Sequence, residues 1–158
     1  MNARRPIQET ADVAEGLEPG LKDIGWIIAY CLRGSFELLR ARIAFSRRPL
    51  RDLLKPEANN KPRSGTKSSS PVQISRIAYV LPRLGNRLPF RADCLVQAIA
   101  GRNWLASSGT QSEIQIGIQN PEGGEFAAHA WLVCDDDIVT GGDISRYATL
   151  LSSKGKTS

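Results

Sequence analysis

The chain has 158 residues, of which 41% are hydrophobic and 23% charged, and these values are ordinary for one globular domain with a modest core. Its three cysteines form no Cys-x-x-Cys pair, which argues against a disulfide scaffold and a structural zinc site and fits a reducing compartment. The net charge of +5 is uneven, because the segment from Arg33 to Lys67 holds ten Lys or Arg against three acids, a net charge of +7.

That basic segment suits an acidic peptide, a partner protein or a membrane surface. Nucleic acid is disfavoured as a partner, because no aromatic residue stands among the charges after Phe45. The N-terminus is polar and shows no secretory signal, so a cytoplasmic location is expected.

The first predicted elements are a mobile tail over 1–20 and an amphipathic, basic helical region over 21–55. The apolar residues of its helix recur at steps of three and four, and they include Ile24, Ile27, Ile28, Cys31, Leu32, Leu38, Leu39 and Ile43. We expect this stripe to pack on the core and the basic charges to steer docking of a partner complex. Contact with a membrane interface is the alternative. A membrane span is excluded, because the uncharged run is too short to cross a bilayer.

A linker is predicted over 56–71, because that stretch is rich in Pro, Ser, Asn and Lys. It separates the basic region from a catalytic core over 72–152, which is followed by a short tail over 153–158. The core opens with a predicted helix over 72–81, and Pro82 is expected to end or kink it.

The rest of the core reads as one further helix and three strands. The helix is capped by Asp93 and runs to about Ser107. Strands are predicted over 113–119, 126–134 and 138–142. Helices followed by antiparallel strands predict an α+β fold.

Cys94 stands at the start of the predicted helix. A helix N-terminus favours the thiolate, which is the form in which cysteine attacks a carbonyl carbon. The backbone N–H of Cys94 is also the natural first donor of an oxyanion hole. The competing interpretation is that Cys94 is an inert core residue on an apolar helix.

His129 is the only histidine, and it lies on the predicted strand 126–134. Side chains alternate along a strand, so His129 shares a face with Trp131, while Cys134 points to the other face. Cys134 is therefore excluded as its partner, and Cys94 remains the best nucleophile. The competing interpretation of a lone histidine is a structural residue with satisfied hydrogen bonds.

Asp143 is the candidate acid. If Asp135, Asp136 and Asp137 form a three-residue loop, Cys134 pairs with Ile138 and Asp143 falls opposite His129. A carboxylate there could orient the imidazole, as in a catalytic triad. The alternative role for Asp143 is a turn or N-cap residue.

These segments resemble the transglutaminase-like leader peptidases of lasso-peptide biosynthesis. The resemblance is carried by Arg91-Ala92-Asp93-Cys94-Leu95-Val96-Gln97-Ala98, by Ile116-Gly117-Ile118, by Phe126-Ala127-Ala128-His129-Ala130-Trp131-Leu132, by Val139-Thr140-Gly141-Gly142-Asp143 and by Tyr147-Ala148-Thr149-Leu150. It implies a papain- or transglutaminase-like core, in which a helix bearing the cysteine packs on antiparallel strands bearing His and Asp. It also implies a cysteine protease with Cys94 as nucleophile, His129 as general base and Asp143 as the acid, and it implies no cofactor and no metal.

The resemblance further implies that the enzyme removes the leader from a ribosomally made precursor peptide. A lasso cyclase of the asparagine-synthetase-like type would then close the product. The chain shows no winged-helix recognition domain, so a separate leader-recognition protein would present the substrate. Two other functions fit the same residues, namely a transglutaminase or amidase with this triad and a non-catalytic adaptor that binds a peptide or a membrane.

Overall fold

Helices precede an antiparallel sheet in the part of the chain that the computed structural model describes, which is residues 19–54, 69–119, 127–135 and 137–152. After a short 3-10 turn at Leu21–Asp23, the elements are α1 (Ile24–Arg47), α2 (Leu50–Leu54), α3 (Pro71–Gly85), α4 (Cys94–Ser107), β1 (Glu113–Gln119), β2 (Ala127–Cys134), β3 (Asp137–Thr140) and β4 (Ala148–Ser152). The predicted α+β fold is confirmed. No helix in these ranges is long and apolar enough to span a membrane.

The predicted tails and linker lie wholly or largely outside the described residues. They are the tail over 1–20, the linker over 56–71 and the tail over 153–158. Their boundaries stay predictions.

Helix α3 begins earlier and ends later than predicted. The Ser70 side chain caps it by accepting a hydrogen bond from the backbone N–H of Gln73, and Pro71 occupies the first helical position. The helix continues through Pro82 to Gly85. Because Pro82 lies in the last turn, its missing N–H removes a single helical hydrogen bond there and the helix does not end.

Helix α1 packs on the core through a different face from the one predicted. Its buried residues are Gly34, Glu37, Leu38 and Ala41. Most of the expected apolar stripe is exposed to solvent, including Ile28, Leu32 and Leu39. A Cβ on Gly34 would approach Leu84 to 2.8 Å and Trp104 to 3.4 Å, so small residues bring α1 close to α3 and α4.

Glu37 is a charged residue on the buried face of α1. Its carboxylate lies 3.5 Å from the guanidinium of Arg33 and 3.5 Å from that of Arg40. Burial of a carboxylate is costly unless it is paired, and these two arginines supply the pairing.

The sheet has the strand order β3-β2-β1-β4, and all neighbours are antiparallel. The predicted register of β2 and β3 is wrong at the hairpin, because Cys134 pairs with Asp137 and not with Ile138. A bulge between Leu132 and Val133 then shifts the register by one residue and restores the predicted one, so that Leu132 pairs with Thr140 as expected. Strand β3 ends at Thr140, so the ladder does not extend to the predicted pair of His129 with Asp143.

Strand β4 was not predicted from the sequence. It pairs with β1 and forms the outer edge of the sheet, where four of its five residues are exposed. An edge strand with little burial has no strict alternation of apolar and polar residues, which explains why the pattern did not reveal it.

Candidate active site

Cys94 is the first residue of α4, as predicted, and its side chain is half-buried with a free thiol. Asp93 precedes it in an extended conformation, and its carbonyl accepts the first helical bond from Gln97 at 3.0 Å. The Asp93 carboxylate makes no capping bond and lies 3.5 Å from the guanidinium of Arg91. The first N–H groups of a helix have no partner within the helix, so this end of α4 presents donors and a partial positive charge beside the thiol.

Helix α4 lies on β2 with its N-terminus at the His129 end of the strand. A Cβ on Gly101 would approach Leu132 to 2.6 Å, so α4 crosses β2 at these two residues. The loop after α4 reaches the C-terminal end of β2, where the Cys134 thiol donates to the Gln111 carbonyl at 3.4 Å. From that crossing, seven residues of helix to Cys94 and three of strand to His129 each span roughly 10 Å. The two candidate residues therefore lie at the same end of the helix–sheet layer, but side chains alternate along β2, so His129 points with Trp131 to the face opposite Leu132, which is the face away from α4.

The His129 ring is held on three sides. Its Nε2 atom lies 2.6 Å from the carbonyl oxygen of Gly141. The Tyr147 ring lies 4.9 Å away, tilted by 31°, and the Trp131 ring lies 6.2 Å away at 29°. These contacts restrict the imidazole to one orientation.

The Gly141 contact also selects the tautomer of His129. A carbonyl oxygen only accepts hydrogen bonds, so Nε2 must carry the proton and donate it. In the neutral ring Nδ1 then bears the lone pair. Nδ1 is therefore the ring nitrogen that is available as a proton acceptor.

Trp131, whose ring stacks near the His129 ring, is itself fixed by burial and by a hydrogen bond. It is fully buried, and its indole N–H donates to the Gln115 side chain at 3.0 Å. Gly117 pairs with His129 across β1 and β2, and a Cβ there would come within 2.7 Å of the Trp131 ring. The absence of a side chain at Gly117 therefore leaves room for the indole.

Two glycines follow the last residue of β3, and the first of them, Gly141, places its carbonyl oxygen beside the His129 ring. Gly141 has φ +120° and Gly142 has φ +62°, and both values favour glycine. A Cβ on Gly141 would overlap the Cβ of Trp131, whereas one on Gly142 would meet nothing within 4 Å. The two adjacent glycines indicate in the sequence that the strand ends there. The contact of the Gly141 carbonyl with His129 cannot be predicted from the sequence.

We expect Gly141→Ala to lower the turnover of a small activated ester by about 10²-fold, because displacing a positioning group by an ångström has costs of this order. Gly142→Ala is the matched control, since it meets no neighbour and carries only a backbone cost of about 1 kcal/mol for the left-handed conformation. Steady-state kinetics and thermal unfolding of both variants check this. Equal activities in the two variants would contradict the role of the Gly141 carbonyl.

Asp143 lies just beyond these glycines and is exposed. Its carboxylate accepts a hydrogen bond from the backbone N–H of Ser145 at 2.9 Å. That bond, a second one from the Ser145 side chain and the charge of Arg146 hold the pKa of Asp143 below its usual value. The ionised carboxylate stabilises the loop above the pKa of the unfolded chain, and this contribution is lost as the pH falls through the lowered pKa.

The Asp143 variants separate an indirect role from a direct one. We expect Asp143→Asn to retain more activity than Asp143→Ala, because an amide oxygen can still accept a hydrogen bond from Ser145. The loop would then keep its conformation, and with it the contacts of Gly141 and Tyr147 with the His129 ring. Ester hydrolysis by both variants, with circular dichroism as the folding control, checks the order. If both fall equally and by about 10⁴-fold, the carboxylate itself orients the imidazole, as the sequence predicted.

The other two cysteines lie elsewhere. Cys134 is buried in the core, and Cys31 is half-buried on α1. Both positions agree with the interpretation of these thiols as structural.

Within the described ranges, no hydrogen bond joins the Cys94 thiol to the His129 imidazole. Catalytic hydrogen bonds in substrate-free enzymes are often long and tighten when substrate binds. The structure describes a thiol at a helix N-terminus with backbone donors beside it, and separately an imidazole with Nδ1 available. Acyl transfer through a thioester requires such groups to meet at one reacting carbonyl.

A helix that begins with a cysteine and packs on an antiparallel sheet carrying an anchored histidine is the arrangement of transglutaminase-like proteins. Comparison with family models agrees, since residues 37–152 match the transglutaminase-like superfamily, and the chain belongs to that superfamily. The superfamily generally includes cysteine-dependent enzymes. No curated protein and no solved structure gives a significant match to the chain.

Proposed function

We propose that the protein is a cytoplasmic cysteine peptidase that removes the leader from a ribosomally made precursor during lasso-peptide maturation. Cys94 is the nucleophile, His129 is the general base, and Asp143 supports the imidazole through the 141–147 loop. The observation that carries the proposal is the Gly141 contact, which leaves Nδ1 of His129 as the proton acceptor. The transglutaminase-like domain supports a cysteine-dependent enzyme. The substrate class rests on the sequence resemblance around Cys94 and His129.

Acylation begins when the Cys94 sulfur attacks the carbonyl carbon at the end of the leader. His129 takes the thiol proton at Nδ1, and the N–H groups at the start of α4 stabilise the oxyanion. The C–N bond then breaks, and His129 returns the proton to the departing amine. The leader is left as a thioester on Cys94, and the core peptide leaves with a free amino terminus.

Deacylation uses the same groups in reverse. His129 removes a proton from a water molecule, the hydroxide adds to the thioester carbonyl, and the C–S bond breaks to release the leader as a carboxylic acid. A transglutaminase would use an amine in place of water at this step. The acceptor, and not the acylation chemistry, therefore distinguishes the two activities.

The partners in this proposal are the precursor peptide, a separate leader-recognition protein and an asparagine-synthetase-like lasso cyclase. The free amino terminus made by cleavage is the nucleophile that a cyclase needs for ring closure. The recognition protein and the cyclase are included because the resemblance to lasso-peptide leader peptidases suggests them.

Cleavage in isotopically labelled water tests the proposal. A synthetic precursor is incubated in H₂¹⁸O with this protein, the recognition protein and an added primary amine. Mass spectrometry then measures the masses of the leader and core products. We expect a leader that carries ¹⁸O in its new carboxylate, together with an intact core peptide. An amine adduct on the leader would indicate a transglutaminase, and an uncleaved precursor would argue for an adaptor.

A further inference from the structure

Helix α1 exposes a continuous apolar face on the side away from the core. Seven large apolar side chains lie on it, including Leu21 just before the helix, and each is at least 43% exposed; they are Leu21, Ile24, Ile28, Leu32, Phe36, Leu39 and Ile43. Exposed apolar surfaces of this extent mark interaction sites in globular proteins. The opposite side of the same helix carries the residues that pack on the core.

The spacing on this face is that of a coiled-coil seam. Leu32 and Leu39 lie seven residues apart, and so do Phe36 and Ile43, with steps of four and three between the two sets. These are the d and a positions of a heptad, which accept the side chains of one facing helix. Leu21, Ile24 and Ile28 fall outside the a and d positions, so the seam is the C-terminal half of the apolar face, and its heptad spacing is the feature that favours a helical protein partner over a membrane interface.

The flank of this seam is basic. Arg33, Arg40 and Arg47 repeat at seven-residue intervals beside the d positions, which places them at e. Glu37 is shared between Arg33 and Arg40, so that those two arginines retain one net positive charge. Arg47 adds a second charge at the C-terminal end of the seam.

A cavity at the same end extends this positive surface. It has a volume of about 480 Å³ and lies between α1, α2 and α4. Its charged lining is Arg40, Arg47, Arg48, Arg102 and Asp52. Arg40 is already paired with Glu37 and Arg102 donates to the Leu53 carbonyl, so Arg47 and Arg48 are the charges that favour an anionic occupant.

We infer that the exposed face of α1 docks an acidic amphipathic helix of a partner protein, with apolar residues on the seam and carboxylates toward Arg40, Arg47 and the cavity. A second copy of this chain is a poor occupant, because it would bring the same arginine row against the first. The inference does not depend on the proposed catalytic activity, and its test involves no turnover.

The probe is a fluorescent synthetic helix of about four heptads, with Leu and Ile at a and d and Glu at the flanking positions. The control peptide carries Lys in place of every Glu. Fluorescence anisotropy with the full chain measures both affinities. We expect the acidic peptide to bind at least about tenfold more tightly than the basic one and to weaken as salt is added.

Variants of the protein locate the binding surface. Leu32→Gln combined with Leu39→Gln should reduce affinity for the acidic peptide by at least about tenfold, and so should Arg47→Glu combined with Arg48→Glu. Val72→Gln, at a position that is 56% exposed on α3, is the control and should have no effect. All of these side chains are exposed, and circular dichroism verifies that each variant is folded.

Several results would overturn the inference. One is equal binding of the acidic and basic peptides, or no binding of either. Another is a dimer in sedimentation that Leu32→Gln dissociates, which would make a second copy the occupant. A third is binding to phosphatidylglycerol vesicles that is lost in the Leu32→Gln, Leu39→Gln variant, which would make a membrane the occupant.

Discussion

Replacement of Cys94 by alanine is expected to abolish turnover and to leave the fold intact. The thiol is the only side-chain group of this residue that the chemistry uses, and its loss in comparable enzymes lowers the rate by about 10⁴- to 10⁶-fold. The side chain is half-buried at the start of α4, where alanine is compatible with the helix. Cleavage of a presented precursor and hydrolysis of an activated ester should both disappear, and the circular dichroism spectrum should not change.

The other cysteines supply the controls for this experiment. Cys31→Ala leaves a small side chain on α1 and should retain full activity. Cys134→Ala removes a buried sulfur from the core and should lower stability without lowering the turnover of the molecules that remain folded. An active Cys94→Ala variant, or an inactive but stable Cys134→Ala variant, would show that the nucleophile has been misassigned.

The second large effect is expected for His129→Gln. The glutamine amide can still donate to the Gly141 carbonyl, so the strand end and its glycines should keep their positions. No group would then accept the thiol proton at Nδ1, and loss of such a base typically lowers the rate by about 10⁴-fold or more. The pH profile of the residual activity should lose the limb that reports the imidazole.

Tyr147 provides the matched control for His129. Tyr147→Phe keeps the ring that lies 4.9 Å from the imidazole and removes only the hydroxyl, so activity close to wild type is expected. A His129→Gln variant that keeps its activity and its pH profile would assign the histidine to a structural role. That outcome would leave the fold description intact and remove the proposed mechanism.

The helix and strands that carry Cys94 and His129 could be predicted from the sequence. Helix α4 begins after Asp93 and ends at Ser107, as the cap and the following glycine indicated. Strand β1 spans the alternating isoleucine segment, and β2 covers Ala127–Cys134, the described part of the predicted strand. These elements have strong periodicity and clear termini, and both signals are local in the chain.

The surroundings of His129 could not be predicted, because strand β3 ends before it reaches this residue. Counting residues from a three-residue loop placed Asp143 opposite His129; the loop is shorter, but the bulge restores the counted register, and Leu132 pairs with Thr140 as the count requires. Strand β3 then ends at Thr140, and the positive φ angles of Gly141 and Gly142 turn a carbonyl toward the imidazole. Bulges and backbone contacts leave no periodic signal in one sequence.

The orientation of α1 was predicted wrongly for a different reason. Its apolar residues cover more of the helix circumference than one packing face requires, so periodicity alone does not say which part is buried. Small residues decide the question, because Gly34 and Ala41 allow close approach to the core. The apolar residues left outside form the seam to which we assign a partner helix.

Alkylation by iodoacetamide, resolved for each cysteine by peptide mass spectrometry, tests the central claim that Cys94 is a nucleophile activated together with His129. We predict that Cys94 reacts at least about tenfold faster than Cys31 at neutral pH, since a thiolate and not a thiol attacks the reagent. Both thiols are half-buried, so access alone does not favour Cys94. The His129→Gln variant should lose most of this advantage. Equal labelling of Cys94 and Cys31, or an advantage that His129→Gln leaves unchanged, would contradict the account.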